Sequence, residues 1–309
     1  MTSPVLKVEN LVKKYGTFRA VDAISFSIPK GKIVGLLGPN GAGKTTTIQM
    51  LLGITLANGG TIRYFGKDFF TNRQACLQRI NFVSAFNELL GRITVWENLA
   101  VYSRMYQVPN FQKKIADLSS YFEIEELLPL RYQLISSGQK TRVNLVKALL
   151  NDPELLLMDE PTASLDPDIA DKTLSFIEKL RRERHLSILY TSHDMEEITR
   201  ICDDVIFLDH GKIVAHDTPL NLTKRINSAQ VRLMFDGEKK EMKKYLSKHK
   251  QSYKFPDKHI VLIDTTEKEI PKIIFGITKT GIWITDIEIE KPNLEDVFLQ
   301  IARKKLYVD

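Results

Sequence analysis

Eight residues, Gly38-Pro-Asn-Gly-Ala-Gly43-Lys44-Thr45, constrain this chain more than any others. An apolar run, Ile33-Val-Gly-Leu-Leu37, precedes them, and Thr45-Thr-Thr-Ile-Gln-Met-Leu-Leu52 follows with a composition suited to a helix. Strand, glycine-rich turn and helix, in that order, let successive backbone N–H groups point at phosphate oxygens. The helix N-terminus adds its partial positive charge. Lys44 can reach the β- and γ-phosphates of a nucleotide, and the Thr45 hydroxyl can ligand Mg²⁺.

Further along, Leu155-Leu-Leu157-Met158 is a continuous apolar run that ends in Asp159-Glu160-Pro161. Such a run reads as a strand buried on both faces of a parallel sheet, and ligands in these sheets sit at the carboxyl ends of the strands. Asp159 is then placed to hold Mg²⁺, directly or through water, and Glu160 to orient and polarise an attacking water. A second run, residues 186–190, ends in Thr191-Ser192-His193-Asp194, where His193 can donate a hydrogen bond to a γ-phosphate. Between phosphate loop and acids, Ile135-Ser136-Ser137-Gly138-Gln139 opens a helix. Its exposed N–H groups, hydroxyls and helix dipole form a second candidate anion site. Tyr15, at a turn before the nucleotide strand, is either a half-exposed hairpin residue or a stacking platform for a nucleobase.

The remaining pattern supplies the scaffold. Residues 5–12 and 20–28 read as strands, 61–66 and 80–83 as short strands, and 68–78 as a helix. From 86 to about 150 the apolar spacing turns helical, with Thr94 as N-cap of a segment starting at Val95. This reads as a helical insertion between strands of an α/β core. From Ala229 onward strands (231–235, 260–263, 281–289) alternate with helices (238–249, 267–278 and one starting at Leu294), which predicts a small α+β domain, ferredoxin-like in pattern.

Composition narrows the class. At 309 residues, 43% apolar and 27% charged, the chain reads as globular protein of about two domains. No signal-peptide pattern opens it, and no window offers the roughly 18 consecutive apolar residues of a membrane span. Cys76 and Cys202 lie far apart without metal-ligand spacing and read as buried thiols of a reducing compartment. The net charge is +6, and residues 222–309 hold 18 Lys/Arg against 13 Asp/Glu. Lys239, Lys240, Lys243, Lys244, Lys248 and Lys250 concentrate that excess, either as a solvated helix face or as a contact for an anionic membrane surface or an acidic partner.

Taken in order, residues 38–45, 136–139, 155–160, 163–166 and His193 resemble the motif set of the nucleotide-binding domain of ATP-binding cassette (ABC) proteins, over roughly residues 4–222. The ending Lys291-Pro-Asn-Leu-Glu-Asp-Val-Phe298 is similar to that of ATPase subunits that pair with permeases of the ABC-2 exporter type. The resemblance implies a P-loop NTPase core of α/β class, with an antiparallel β subdomain and a helical insertion at about 86–150. That ATPase domain would span 1–225, and a C-terminal α+β accessory domain 226–309. It implies ATP and Mg²⁺ as cofactors. Tyr15, Gly38, Asn40, Gly41, Gly43, Lys44, Thr45 and Thr46 would bind nucleotide, with Thr45 and Asp159 on the metal and Lys44, Glu160 and His193 in catalysis. Ser136, Ser137, Gly138, Gln139 and Asp166 would act across a head-to-tail dimer that sandwiches two ATP molecules.

By that resemblance the partners are a second ATPase chain and a separate polytopic permease. The protein would lie at the cytoplasmic face of a membrane and power an exporter, with a docking surface around residues 86–106. A soluble ABC ATPase acting on nucleic acid or ribosomes is the alternative; no nucleic acid is expected, because neither long coiled-coil insertions nor a second cassette is present. The sequence departs from the family at Ser137, where the signature has glycine, and at Ala85, where a glutamine usually contacts Mg²⁺ and water. Ala85 can make neither contact and Asn87 is the nearest amide, so weaker coupling or slower hydrolysis is expected.

Overall fold

The computed structural model describes residues 3–84, 88–163, 165–224 and 229–306, with side chains to residue 300. The chain divides into two compact units, Met1–Pro219 and Leu220–Asp309. The expected boundary at 225/226 lies outside the described residues.

Unit 1 begins with a hairpin of β1 (Leu6–Tyr15) and β2 (Phe18–Ile28). The next strand, β3 (Ile33–Leu37), is buried at every position. It feeds the glycine-rich turn and α1 (Lys44–Leu51). Then come β4 (Gly59–Tyr64) and the two-residue β5 (Lys67–Asp68). The helix expected over 68–78 is only α2 (Arg73–Leu77). Asp68 explains the difference: its Oδ1 accepts the N–H groups of Phe70 and Thr71 (3.0 and 3.1 Å), a side-chain turn that competes with helix.

After β6 (Ile80–Ser84) the chain turns helical, with α3 (Val95–Met105), α4 (Phe111–Tyr121) and α5 (Ser137–Leu149). Thr94 caps α3 as expected, accepting from Glu97 N–H (3.1 Å) while Glu97 Oε2 accepts the Thr94 N–H (2.7 Å). The strand β7 (Leu155–Asp159) is followed by α6 (Pro167–Arg184), β8 (Ser187–Thr191) and α7 (Met195–Ile201). The unit closes with the hairpin β9 (Asp204–Asp209) and β10 (Lys212–Asp217), and α8 (Pro219–Lys224) follows.

These strands form two sheets, a four-stranded one in the order β2-β1-β4-β5 and a six-stranded one in the order β10-β9-β3-β8-β7-β6. The first is antiparallel; in the second, β9, β3, β8, β7 and β6 run parallel and β10 pairs antiparallel at the edge. Burial on both faces accounts for the unbroken apolar runs of β3, β7 and β8. Because β3 lies between β8 and β9, its carboxyl end opens beside that of β8, and the end of β8 beside that of β7. The β7–β8 register sets Asp159 directly against Thr191.

Unit 2 runs β11 (Ala229–Asp236), α9 (Lys239–Lys248), β12 (Ser252–Asp257), β13 (Ile260–Thr265), α10 (Ile270–Thr278), β14 (Trp283–Glu290) and α11 (Leu294–Leu306). Its antiparallel sheet has the order β12-β13-β11-β14, the split β-α-β-β-α-β arrangement of ferredoxin-like folds. Val231, Leu233, Phe235, Met242, Leu246, Val261, Ile263 and Ile273 share its core. Sequence patterning missed β12, which carries Pro256. An edge strand tolerates proline, and the pairing shifts register between Lys254 and Asp257. On α9, Met242 and Leu246 turn inward while the lysines are exposed, as on a solvated helix face. Cys76 and Cys202 are both buried free thiols.

Candidate nucleotide site

The turn between β3 and α1 is built around tight backbone. Gly43 has φ 104°, and a Cβ there would overlap the carbonyl oxygen of Ala20. Asn40, Gly41 and Thr45 are exposed, so one side of the turn stays open. The first helical hydrogen bond is Thr47 N–H to Gly43 O (2.9 Å). The N–H groups of Lys44, Thr45 and Thr46 therefore precede the helical ladder and lack acceptors within it. Lys44 folds back into the loop, its Nζ donating to the carbonyls of Gly38 (2.6 Å) and Pro39 (3.3 Å), and is only 7% exposed. Burial lowers its pKa from the usual lysine value, and the Glu160 and Asp159 carboxylates oppose that shift.

As expected, Asp159 ends β7 and Glu160 follows it directly. Thr191 Oγ1 donates to Asp159 Oδ1 (2.6 Å). Burial holds Asp159 above the usual carboxylate range, against that hydrogen bond, and the Glu160 charge raises it further. A cation at this acid would relieve both effects. Glu160 takes a left-handed backbone (φ 49°), and its N–H donates to both the main-chain oxygen and the Oγ1 of Thr191 (3.0 Å each). His193 Nδ1 stands 3.5 Å from Glu160 Oε2, and the imidazole is 72% exposed. Glycine turn, acid pair and histidine thus follow three adjacent strands, β3, β8 and β7, at their carboxyl ends.

Residues 38–46 fit a nucleotide triphosphate: unpaired N–H groups at a helix start, an open turn, and a buried lysine whose donors rest on main-chain carbonyls. No group of three or more His, Cys, Asp or Glu stands together as a metal cluster among the described residues. Thr45 and Asp159 fit instead the Mg²⁺ chemistry of few protein ligands completed by phosphate oxygens and water.

The second candidate anion site is a capped helix start. Ser136 Oγ accepts Gln139 N–H (3.3 Å) and Gln139 Oε1 accepts Ser136 N–H (2.9 Å). The Ser136 O–H and the N–H groups of Ser137 and Gly138 remain outside this reciprocal pair, and both serines are exposed. Gly138 is buried where a Cβ would press on Ile169 of α6. Asp166 is exposed at the start of α6, and its side chain makes no cap hydrogen bond. Tyr15 ends β1, half exposed, with Lys13 Nζ 4.9 Å from its ring centroid. Ala85 and Asn87 lie outside the described residues. Sequence reasoning missed Thr191, which ties Asp159 to Glu160, because its partners become neighbours only through strand pairing.

This is the fold of P-loop nucleotide-binding proteins. A family model described as ABC transporter matches residues 21–163. Nod factor export ATP-binding protein I of Ralstonia nicotianae is 30% identical, covering 99% of this chain and 96% of that protein. Linearmycin resistance ATP-binding protein LnrL of Bacillus subtilis is 31% identical over 98% of this chain and 99% of its own length. A solved ATP-binding subunit of an ABC transporter superposes with a TM-score of 0.66 at 25% identity, over 72% of this chain and 92% of that one. The chain belongs to the family of ABC transporter ATP-binding proteins, exporter-like in type, and is an ATPase of that family.

Proposed function

We propose that the chain hydrolyses Mg-ATP to drive a separate membrane-embedded permease that exports its substrate, working as a dimer at the cytoplasmic face. The observation that carries this reading is the convergence of Lys44, Asp159, Glu160 and His193 at the carboxyl ends of β3, β7 and β8. The export direction is supported by the relatives named for Nod factor export and linearmycin resistance. No helix among the described residues is long and apolar enough to cross a membrane.

In this reading the N–H groups of Gly41, Gly43, Lys44, Thr45 and Thr46 hold the phosphates. Lys44 exchanges its carbonyl partners for β- and γ-phosphate oxygens. Thr45 and Asp159 would hold Mg²⁺, which would neutralise phosphate charge. Glu160 accepts a hydrogen bond from the attacking water and orients it, and His193 donates to a γ-phosphate oxygen. Tyr15 stacks on the base. The exposed Ser136 and Ser137, with the helix start at Gly138 and Gln139 and with Asp166, close the site from a second chain. Leu90, Trp96, Val101 and Met105 are exposed apolar residues of the helical segment and offer the permease a docking face.

Glu160→Gln keeps the shape of the site but removes the charge that orients water. It is expected to abolish turnover and accumulate a nucleotide-bound dimer under saturating Mg-ATP, read by size-exclusion chromatography with light scattering. A variant that stays monomeric under those conditions contradicts the sandwich. Purification from membranes is expected to bring down a polytopic protein; its absence contradicts the transporter role.

A further inference from the structure

We propose that Glu197 is a positioning residue for ATP hydrolysis, locking the segment that carries Glu160 to the segment that carries His193. The inference rests on the roles given above to Glu160 and His193. Glu197 lies on α7, away from the phosphate loop in sequence, and is 8% exposed. Its Oε2 accepts three hydrogen bonds, from Thr162 Oγ1 (2.9 Å), Tyr190 Oη (2.9 Å) and Ser192 Oγ (2.8 Å). All three donors are buried.

The identity of the donors gives the arrangement its meaning. Thr162 is two residues beyond Glu160, and Ser192 immediately precedes His193. Tyr190 belongs to β8, the strand that leads into Ser192 and pairs with β7, which leads into Glu160 and Thr162. Ser192 Oγ also accepts the N–H of Asp194 (3.0 Å), so both sides of His193 are held through one hydroxyl. On the opposite side of the same pair of segments, Thr191 joins Asp159 and Glu160.

A carboxylate suits this place because it only accepts, which obliges all three hydroxyls to donate. Burial and the Glu197 charge push the Tyr190 phenol far above its usual range, so it keeps its proton. Among the described residues Glu197 makes no ion pair, and hydroxyl donors alone reach its Oε2. A buried acceptor of this kind costs free energy whenever either segment withdraws its donor. Glu160 and His193 are thereby held in a fixed mutual position, while the groups of residues 38–46 that bind phosphate lie outside the network.

Steady-state ATPase kinetics of the full chain test this. Glu197→Ala is expected to lower kcat by about 10- to 100-fold, the scale of a misplaced catalytic group, with KM for Mg-ATP unchanged. Glu197→Gln, which retains one acceptor oxygen, is expected to fall between this variant and the unmodified protein. Ser192→Ala and Thr162→Val each delete one hydroxyl at nearly constant volume and report on the network even where Glu197→Ala does not fold. Each is expected to lower kcat, and neither adds to the effect of Glu197→Ala, because their shared acceptor is already gone.

Unchanged kcat in the folded Glu197→Ala, Ser192→Ala and Thr162→Val proteins overturns the proposal, as does a rise in KM without loss of kcat. Glu160→Gln separates the two levels. If it retains full turnover, the reading of the site itself fails; if it is inactive while the Glu197, Ser192 and Thr162 variants keep their kcat, only the positioning role fails.

Discussion

At Gly43 the backbone needs both φ 104° and the space that a Cβ would take from the Ala20 carbonyl. Gly41 also has positive φ (83°) but nothing within 4 Å of its Cβ position. Gly41→Ala therefore carries only backbone strain of about 1–3 kcal/mol, whereas Gly43→Ala adds a steric overlap with main chain. Equilibrium unfolding is expected to show the larger loss for Gly43→Ala, and fluorescent-nucleotide binding to fall with it. Equal losses at the two positions contradict that geometry. Lys147 presents a different economy. On α5, 8% exposed, it donates to Asn81 Oδ1 (3.2 Å) and Phe82 O (3.4 Å) without an ion pair among the described residues, and burial pushes it down to about 8. Between that value and the ordinary 10.5 the unfolded chain holds more protons than the folded one, so stability rises with pH across this window. Its burial cost is present in full below about pH 8 and gone above about pH 10.5. Relative to Lys147→Met, the unmodified protein is expected to gain up to about 3 kcal/mol from the lower to the upper end of that window. Urea unfolding of both proteins across it reads the difference; a flat one excludes the assignment.

Among the elements, α3 and α5 start with the same device and separate its structural from its functional use. Each has a capping box, Thr94 with Glu97 and Ser136 with Gln139. Thr94→Ala is expected to cost about 1 kcal/mol of stability and leave ATPase activity of the isolated protein unchanged. Ser136→Ala is expected to cost about the same stability and, in the proposed dimer, also to lower ATPase activity, because its O–H would there be offered to a second chain's nucleotide. Unfolding curves and turnover on both variants check this, and equal turnover would remove Ser136 from the site. Legibility at this scale followed the range of the determining contact. The Thr94 cap was readable because both partners lie within one turn. The shortened α2 was not, because the Asp68 turn outcompetes a helical pattern, and β12 was not, because only its edge position makes Pro256 acceptable.

Across the whole molecule, each unit owns a hydrophobic core. Leu6, Val8, Leu36, Ile48, Leu157, Leu189 and Ile206 lie in that of unit 1, and Leu233, Met242, Leu246 and Ile263 in that of unit 2. Separate cores predict separate cooperative transitions. Calorimetry of the full chain is expected to resolve two. Leu246→Ala should destabilise unit 2 by about 2–5 kcal/mol and lower one transition while leaving the other in place. A single transition shifted as a whole would show the units to be thermodynamically coupled.

The linear chain by itself determined the glycine-rich turn after β3, the acids at and just beyond the end of β7, the histidine after β8 and the helix starts at Thr94 and Ser136. Each is a local pattern, in which residue type, spacing and strand or helix periodicity suffice. Sheet order decided the rest. Placing β8 between β3 and β7 brings Lys44, Asp159, Glu160 and His193 to one end of the sheet, and pairs Asp159 with Thr191. It also gathers Thr162, Tyr190 and Ser192 onto Glu197. Hydrogen bonds between segments this far apart in sequence have no local pattern, because their partners become neighbours only when the parallel strands pair.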